Sequence, residues 1–143
     1  MRADQQTESA VLGVLREFTG AYERGDVDGV MQYIAPDADV VLIGTGADEM
    51  RIGPEQARAQ IQRDVDQTDS IALHMHDPLV SAAGDVAWVT GDVAFEGSAG
   101  GQTFTIPGRM TAVFENRGGS WLLVNSHFSA PMAGQQEGDS FPD

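Results

Sequence analysis

Cysteine is absent from this chain of 143 residues. Disulfide bonds, thiol chemistry and cysteine-based metal sites are therefore excluded, and the absence fits a cytoplasmic protein. The sequence also lacks an apolar run long enough to cross a bilayer, and residues 1–8 lack the apolar core of a signal peptide. We therefore expect a cytoplasmic protein with no membrane partner.

Basic residues are scarce. Eight Lys and Arg stand against 22 Asp and Glu, which gives a formal net charge of −14. A field of this sign repels nucleic acid and anionic membranes, so no nucleic-acid partner is expected, and the charge is most simply explained as maintaining solubility. Apolar residues make up 41% of the chain, which is enough to build the core of one domain of this length.

The first half of the chain has the patterns of helices and short strands. Apolar residues recur at spacings of three and four in residues 7–24, 27–34 and 54–65, which predicts three helices. Pro36 stops the second helix, and Pro54 occupies the first turn of the third. Two short strand-like segments lie between them, at residues 39–43 and 51–53.

The second half is predicted to be all strand. Four runs of strand character are separated by short turns, at residues 71–80, 86–95, 103–114 and 121–128. Short connections predict an antiparallel meander, and helices followed by a sheet indicate an α+β domain over residues 1–131. Such a sheet can curl around a helix and enclose a cavity, and a second copy of the chain would cover its other face in a homodimer. Residues 132–143 are expected to be a flexible acidic tail.

The last two predicted strands alternate in character. One side is apolar and includes Met110, Phe114 and Phe128. The other side carries polar groups among apolar ones: Arg109, Thr111, Asn125 and His127. Because successive side chains of a strand point to opposite faces, the second set shares a face that is suited to line a pocket.

Two segments carry a family resemblance. Residues 23–40 resemble the signature of the nuclear transport factor 2-like superfamily, and the pattern of Gly, Arg, Thr, Trp, Asn and His over residues 108–129 resembles its SnoaL-like branch. The resemblance covers residues 8–131. It implies a cone-shaped α+β barrel of the cystatin-like kind, with N-terminal helices packed on a curved antiparallel sheet. It does not imply one reaction, because this scaffold hosts isomerases, cyclases, epoxide hydrolases, dehydratases and ligand-binding modules.

The ketosteroid isomerases of this superfamily provide a test. The resemblance places Leu42 at the position of their carboxylate base, and Phe18 and Thr111 at the positions of their two oxyanion donors. The carboxylate base, the tyrosine and the carboxylic acid of those enzymes are therefore all replaced, so steroid-isomerase chemistry is not expected. The same alignment implies that Thr111, and with it Arg109, points into the cone.

Arg109 and His127 are the leading polar candidates. A guanidinium at Arg109 can clamp a ligand carboxylate, or it can brace the sheet through an ion pair with Asp92 or Glu115. A five-residue turn after Glu115 would place Arg109 opposite His127. His127 can then act as a general base near neutral pH, or it can be a structural histidine hydrogen-bonded at the seam of a dimer.

Asp92 is the second catalytic candidate. If its strand parity faces the cone, burial would raise its pKa and suit it to general base catalysis; if it faces out, it is a solvated charge. Trp88 shares this parity and is either a ligand contact or a core anchor. Together with Arg109 and Thr111, the residues Trp88, Asn125 and Phe18 complete the predicted ligand-binding set.

No metal and no cofactor is predicted. His74 and His76 share a strand face, but zinc needs at least a third ligand. Two functions therefore remain. The first is binding of a small hydrophobic or carboxylate-bearing molecule in an apolar pocket with an Arg/His polar end. The second is a cofactor-independent isomerase, cyclase or hydrolase that uses acid–base catalysis. An acid inside the cone would favour the enzyme, and an all-apolar cavity would favour binding.

Overall fold

The computed structural model describes residues 1–142, in which three helices pack on one face of a six-stranded sheet. The helices are α1 (Gln5–Glu23), α2 (Val27–Met31) and α3 (Gly53–Gln67). The strands are β1 (Val41–Ile43), β2 (Met50–Ile52), β3 (Ser70–Ala83), β4 (Val86–Ala99), β5 (Gln102–Arg117) and β6 (Ser120–Ser129). The predicted α+β layout is confirmed, and the sheet is curved and unclosed.

Each helix begins where the sequence chemistry favours it. The Asp4 carboxylate accepts a hydrogen bond from the backbone N–H of Thr7 at 2.7 Å and caps α1. Asp26 caps α2 in the same way through Gly29, at 2.9 Å. Pro54 lies in the first turn of α3, where its missing N–H costs nothing. The three predicted helices are therefore confirmed, with α2 ending earlier than expected.

The sheet order is β2-β1-β6-β5-β4-β3. Strands β3 to β6 pair antiparallel in succession and form the predicted meander. β1 pairs parallel with β6 and antiparallel with β2, which extends the sheet at one edge. β3 changes register between His76 and Leu79, where Asp77 has a φ of 45° and Pro78 follows.

The β5–β6 hairpin differs from the prediction. Arg117 pairs with Ser120, so the turn is only Gly118-Gly119, with φ of 62° and 94°. A two-residue hairpin turn needs positive φ at its central positions, which glycine adopts without steric cost. Glu115 consequently faces Leu122. The expected five-residue turn and the pairing of Arg109 with His127 are wrong.

A bulge in the same hairpin sets which side chains face inward. Val113 pairs with Asn125 and Phe114 pairs with Leu123, which leaves Val124 as an extra residue on β6. The alternation therefore reverses at this point. Trp121 and Leu123 face the helices together with Phe128, whereas Asn125 and His127 face the other way.

The core lies between the helices and this inner sheet face. Its largest fully buried side chains come from α1, α2, the segment before β1 and strands β3 to β5: Phe114, Val11, Val30, Val40, Val80 and Val89. The outer sheet face carries exposed polar residues beside half-buried apolar ones. Within residues 1–142, no helix has the length and hydropathy needed to span a bilayer.

Residues 130–142, after β6, contain turns but neither helix nor strand. Asp143, the last residue of the predicted tail, lies outside the described residues.

Candidate functional site

A cavity of about 250 Å³ lies between α1, α3 and the inner face of the sheet. Most of its wall is apolar. Leu73, Phe95, Ile106, Met110 and Phe128 contribute from the long strands, and Ile61 contributes from α3. The volume lies just below the range of about 300–1,000 Å³ that is typical of ligand pockets, so it suits a molecule with one or two small rings.

An aromatic row forms part of the wall. The ring of Phe95 meets Tyr22 edge-on, with centroids 6.3 Å apart, and meets Phe128 in the same manner at 4.8 Å. Phe18, one helical turn before Tyr22, also lines the cavity. Edge-to-face packing holds these rings in defined orientations, so this side of the cavity is preformed.

The polar end of the cavity is built on Asp64. Its Oδ2 accepts a hydrogen bond from the phenol of Tyr22 at 2.8 Å, and its Oδ1 accepts one from the Gln60 side-chain amide at 2.8 Å. Gln60 and Asp64 are four residues apart on α3 and therefore share a helix face. The bond to Tyr22 links this face to α1 across the cavity.

Glu49 supplies a second carboxylate to the lining. Its side chain folds back over the loop between β1 and β2 and accepts the backbone N–H of Gly46 at 2.8 Å. A Cβ at Gly44 would overlap the Glu49 carboxylate, so any larger residue there would force this side chain to move. Gln60 joins the two carboxylates, because its amide also lies 3.3 Å from Glu49 Oε1.

Two arginines contact this polar end from outside the cavity lining. Arg51 Nε and Arg63 Nη2 donate to the Oε1 of Gln60 at 3.0 and 2.9 Å. Because both donors bind the amide oxygen, the amide NH2 is turned toward the carboxylates. Arg63 also pairs with Glu49 at 3.0 Å and with Asp48 at 2.8 Å, and its hydrogen bond lowers the pKa of Asp48.

Burial sets the protonation behaviour of the Tyr22–Asp64 pair. Desolvation raises the pKa of Asp64 above its ordinary value of 3.8, against the lowering effect of the hydrogen bonds from Tyr22 and Gln60. Desolvation, reinforced by the charge of Asp64, also raises the pKa of Tyr22. The Tyr22 phenol therefore remains a protonated donor at neutral pH. A carboxyl with a raised pKa beside a fixed donor, at the end of an apolar cavity, can exchange a proton with a bound molecule.

Of the predicted site residues, only Phe18 lines this cavity. The expectation that Arg109 and Thr111 point into the cone is wrong, because Met110, the residue between them, lines the cavity. His127 pairs with Thr111 on the outer face and is exposed, whereas its neighbour Phe128 faces the cavity.

The remaining predicted residues also lie on the outer face. Asp92 is exposed and is flanked in register by His76 and Arg109, but within residues 1–142 it makes no ion pair with Arg109 at 4.0 Å or less. Trp88 is half-buried opposite Val113.

Asn125 lines a separate depression of about 390 Å³ on that side. Arg117 also lines it, and its guanidinium is engaged by Asp37 and Glu115, each at 2.6 Å.

The histidine pair on β3 stays without a third metal ligand. In the part of the chain that the structure describes, no group of three or more His, Asp or Glu is arranged to hold a metal ion. The Nε2 atom of His74 instead lies 3.6 Å from Oε2 of Glu96 on the neighbouring strand, and both side chains are about half exposed.

The sequence interpretation missed Tyr22, Gln60, Asp64 and Glu49 as site residues. Tyr22 falls on the apolar stripe of α1, and its hydroxyl was the available signal, because a hydroxyl on a buried stripe needs a partner. Asp64 lies three residues after Ile61, on the edge of the apolar stripe of α3, and that position was the available signal. Glu49 gave no signal, because only the folded loop brings it to the cavity.

Comparison with known proteins identifies the family. The SnoaL-like domain family matches residues 11–133. A search of curated proteins gave no match. Among solved structures, a candidate calcium/calmodulin-dependent protein kinase II association domain from Xanthomonas campestris is 26% identical, with a TM-score of 0.76 and 86% of each chain covered.

Two further structures share the fold at lower identity. A candidate dehydratase of the nuclear transport factor 2-like family from Streptomyces avermitilis is 21% identical, with a TM-score of 0.82, over 92% of this chain and 100% of the other. A nuclear transport factor 2-like superfamily protein from Salmonella enterica serovar Typhimurium is 18% identical, with a TM-score of 0.83, over 97% and 100%. The chain therefore belongs to the SnoaL-like domain family and has the cone-shaped nuclear transport factor 2-like fold.

Proposed function

We propose that the protein binds a small, largely apolar molecule in the cavity between α1, α3 and the sheet. The observation that carries this proposal is the combination of an apolar, aromatic wall with a single polar end at Tyr22, Asp64 and Glu49. Convergent polar groups in an otherwise apolar concavity are the usual arrangement of a small-molecule site. The polar end differs from the predicted Arg/His end in both position and charge.

A cavity-filling substitution tests this proposal. Ile106 lines the cavity and is 40% exposed, so Ile106→Trp can obstruct the cavity without forcing a large side chain into the buried core. Leu79→Trp is the matched control, because Leu79 is a 54% exposed strand residue outside the cavity lining. Indole is a suitable probe, observed by saturation-transfer NMR. We expect transfer with the wild-type protein and Leu79→Trp and loss of transfer with Ile106→Trp; equal transfer in all three would refute the site.

A second candidate function is cofactor-independent acid–base catalysis, as an isomerase, cyclase or hydrolase. The observation that favours it is an acid inside the cavity, Asp64, with a raised pKa and the donor Tyr22 beside it. Solved relatives of the same fold include candidate dehydratases, which is consistent with this chemistry. In this proposal Asp64 removes a proton from a carbon or oxygen atom of the substrate and later returns it.

Hydrogen–deuterium exchange tests catalysis without a known substrate. The α-protons of 2-indanone exchange in D2O when a base forms the enolate, and proton NMR follows their loss. We expect the wild-type protein to accelerate this exchange and Asp64→Asn to abolish the acceleration. Acceleration that survives in Asp64→Asn would exclude Asp64 as the base.

We also propose that the chain forms a homodimer through the outer sheet face. Trp88 and Val113 form an apolar centre there, and Asp92 and Arg109 lie further along the same face, beyond Thr90 and Thr111, as neighbouring opposite charges. Under a two-fold axis, such a pair can face its own copy with each charge near its opposite. The homodimer would cover apolar surface that the monomer leaves half exposed.

A further inference from the structure

We propose that the ligand is a small apolar amine, whose ammonium group is held at the polar end of the cavity by the carboxylates of Asp64 and Glu49. This inference rests on the proposed binding function and adds the chemical class of the ligand. It differs from the carboxylate-bearing ligand that the sequence suggested, because the polar end of the cavity carries acids rather than Arg109 and His127.

The hydrogen-bonding inventory of the polar end leaves free acceptor capacity chiefly on Asp64, because Glu49 already accepts from Gly46, Gln60 and Arg63. The other hydroxyls in the cavity lining are those of Thr45 and Ser126. The Tyr22 hydroxyl and the Gln60 amide already donate to Asp64, and the amide oxygen of Gln60 is occupied by Arg51 and Arg63. Each carboxylate oxygen of Asp64 has one protein donor and can accept a second. A ligand that enters this end therefore meets acceptor capacity, and an ammonium group brings three donors to it.

The charges around Asp64 also favour a cationic ligand. Among residues 1–142, no basic side chain lies within 4.0 Å of the Asp64 carboxylate; Arg63 pairs with Asp48 and Glu49 instead. The hydrogen-bond partners of this partly buried carboxylate are both neutral, and the charge of Arg63 acts on it only from beyond 4.0 Å, so a cation from the ligand would add an opposite charge in direct contact. A ligand carboxylate in the same place would face two acids. The net charge of −14 also concentrates cations around the protein.

The rest of the cavity fits the apolar part of such an amine. Phe18, Phe95 and Phe128 provide aromatic surface within the lining, and Phe95 contacts the ring of Tyr22 next to the acid. Aromatic faces stabilise both a hydrocarbon ring and an adjacent cation. The cavity thus combines an acidic end with an aromatic wall.

A matched ligand series tests the inference by isothermal titration calorimetry. The probes are 2-phenylethylamine, 2-phenylethanol and 3-phenylpropionate, which share a phenyl group and differ in the polar head. We expect the amine to bind at least about tenfold more tightly than the alcohol, since charge-assisted hydrogen bonds are roughly twice as strong as neutral ones. We expect 3-phenylpropionate to bind most weakly.

Substitutions test whether the preference for the amine depends on Asp64 and Glu49. Asp64→Asn is expected to remove the advantage of the amine while 2-phenylethanol still binds, and Glu49→Gln is expected to reduce that advantage. Asp66→Asn is the matched control on the same helix, because Asp66 is exposed and lies outside the cavity lining. Circular dichroism checks that each variant is folded. If Asp64→Asn does not fold, the effect of Glu49→Gln on the preference for the amine tests the inference.

The outcomes separate this inference from the proposed function. If 2-phenylethanol or 3-phenylpropionate binds as tightly as 2-phenylethylamine or more tightly, the inference of an amine ligand is wrong, but the proposed binding site still stands. An amine preference that persists in both Asp64→Asn and Glu49→Gln would also overturn it. Failure of all three probes and of indole to bind the folded wild-type protein would overturn the proposed function and this inference together.

Discussion

The contact between Tyr22 and Asp64 is the residue-scale feature on which the site depends. A phenol on the buried stripe of α1 needs a hydrogen-bond partner, and a carboxylate on α3 provides it at 2.8 Å. The pair joins two helices and at the same time places an acid at the end of an apolar cavity. One side-chain contact therefore serves both the fold and the proposed site.

Tyr22→Phe removes this hydrogen bond without changing the ring. We expect the free energy of unfolding to fall by about 1–2 kcal/mol, because a partly buried carboxylate loses one of its donors. Urea denaturation followed by circular dichroism measures the change. Tyr33→Phe is the control, because Tyr33 is a half-buried tyrosine outside the cavity lining; an equal loss in both variants would contradict a specific role for the Tyr22–Asp64 bond.

The raised pKa of Asp64 predicts a pH dependence of stability. The folded protein holds the Asp64 proton more tightly than the unfolded chain, whose pKa is near 3.8. Stability from this group is therefore complete below pH 3.8 and is lost as the pH rises through the raised pKa in the folded state. The groups around it are Tyr22, Gln60, Glu49 and Arg63.

The measurement is the difference in free energy of unfolding between the wild-type protein and Asp64→Asn as a function of pH. Relative to Asp64→Asn, we expect the wild-type protein to lose stability as the pH increases from about 3.8 toward neutrality. Asp66→Asn, compared in the same way, should show no such loss. A wild-type protein that gains stability over this range relative to Asp64→Asn would mean that the Asp64 pKa is lowered.

At the scale of elements, the β5–β6 hairpin decides which face each side chain takes. Its two-residue turn and the bulge at Val124 together turn Trp121 and Phe128 toward the helices and His127 toward the outer face. A shift of one residue in a strand exchanges its two faces, so one unrecognised bulge is enough to invert an assignment.

The sequence predicts the elements well and the site poorly, and this hairpin gives part of the reason. Helix periodicity, Pro54 in the first turn of α3 and the strand-like runs are local signals, and the structure confirms them. The length of the Gly118-Gly119 turn and the position of the bulge depend on pairing between strands, which local patterns do not specify. The contact of Glu49 with Gln60 depends on tertiary packing and is also invisible in the sequence pattern.

Gly119→Ala tests the turn. Gly119 has a φ of 94°, a conformation that a side chain disfavours by about 1–2 kcal/mol. We expect a loss of about 1 kcal/mol or more in the free energy of unfolding, measured with urea. Ser120→Ala changes the next residue of the same hairpin without this strain and should have a smaller effect. A Gly119→Ala protein as stable as Ser120→Ala would argue against the two-residue turn.

At the scale of the whole molecule, the curved sheet has two faces with different uses. The inner face and the helices enclose the cavity, and the outer face presents Trp88, Val113, Asp92 and Arg109. Apart from Phe18, the residues that the sequence assigned to a pocket thus lie on the outer face that carries the proposed dimer interface. Their mixture of polar and apolar groups resembles the composition of an association surface as closely as that of a ligand site.

Analytical ultracentrifugation tests the homodimer. We expect a dimer at micromolar concentration, and we expect Val113→Asp to weaken it at least tenfold, because a charge would be buried at the centre of the interface. Thr103→Asp is the control, because Thr103 is exposed near the far end of β5. A wild-type protein that sediments as a monomer at all concentrations, or a dimer unaffected by Val113→Asp, would contradict the interface.

The most direct test of the central claim is the location of a bound probe. A proton–nitrogen correlation NMR titration with indole reports which backbone amides change. We expect shifts at Tyr22, Asp64 and Phe95, around the cavity, and none at Arg109 or His127 on the outer face. Shifts confined to the outer face, or no shifts at saturating indole, would contradict it.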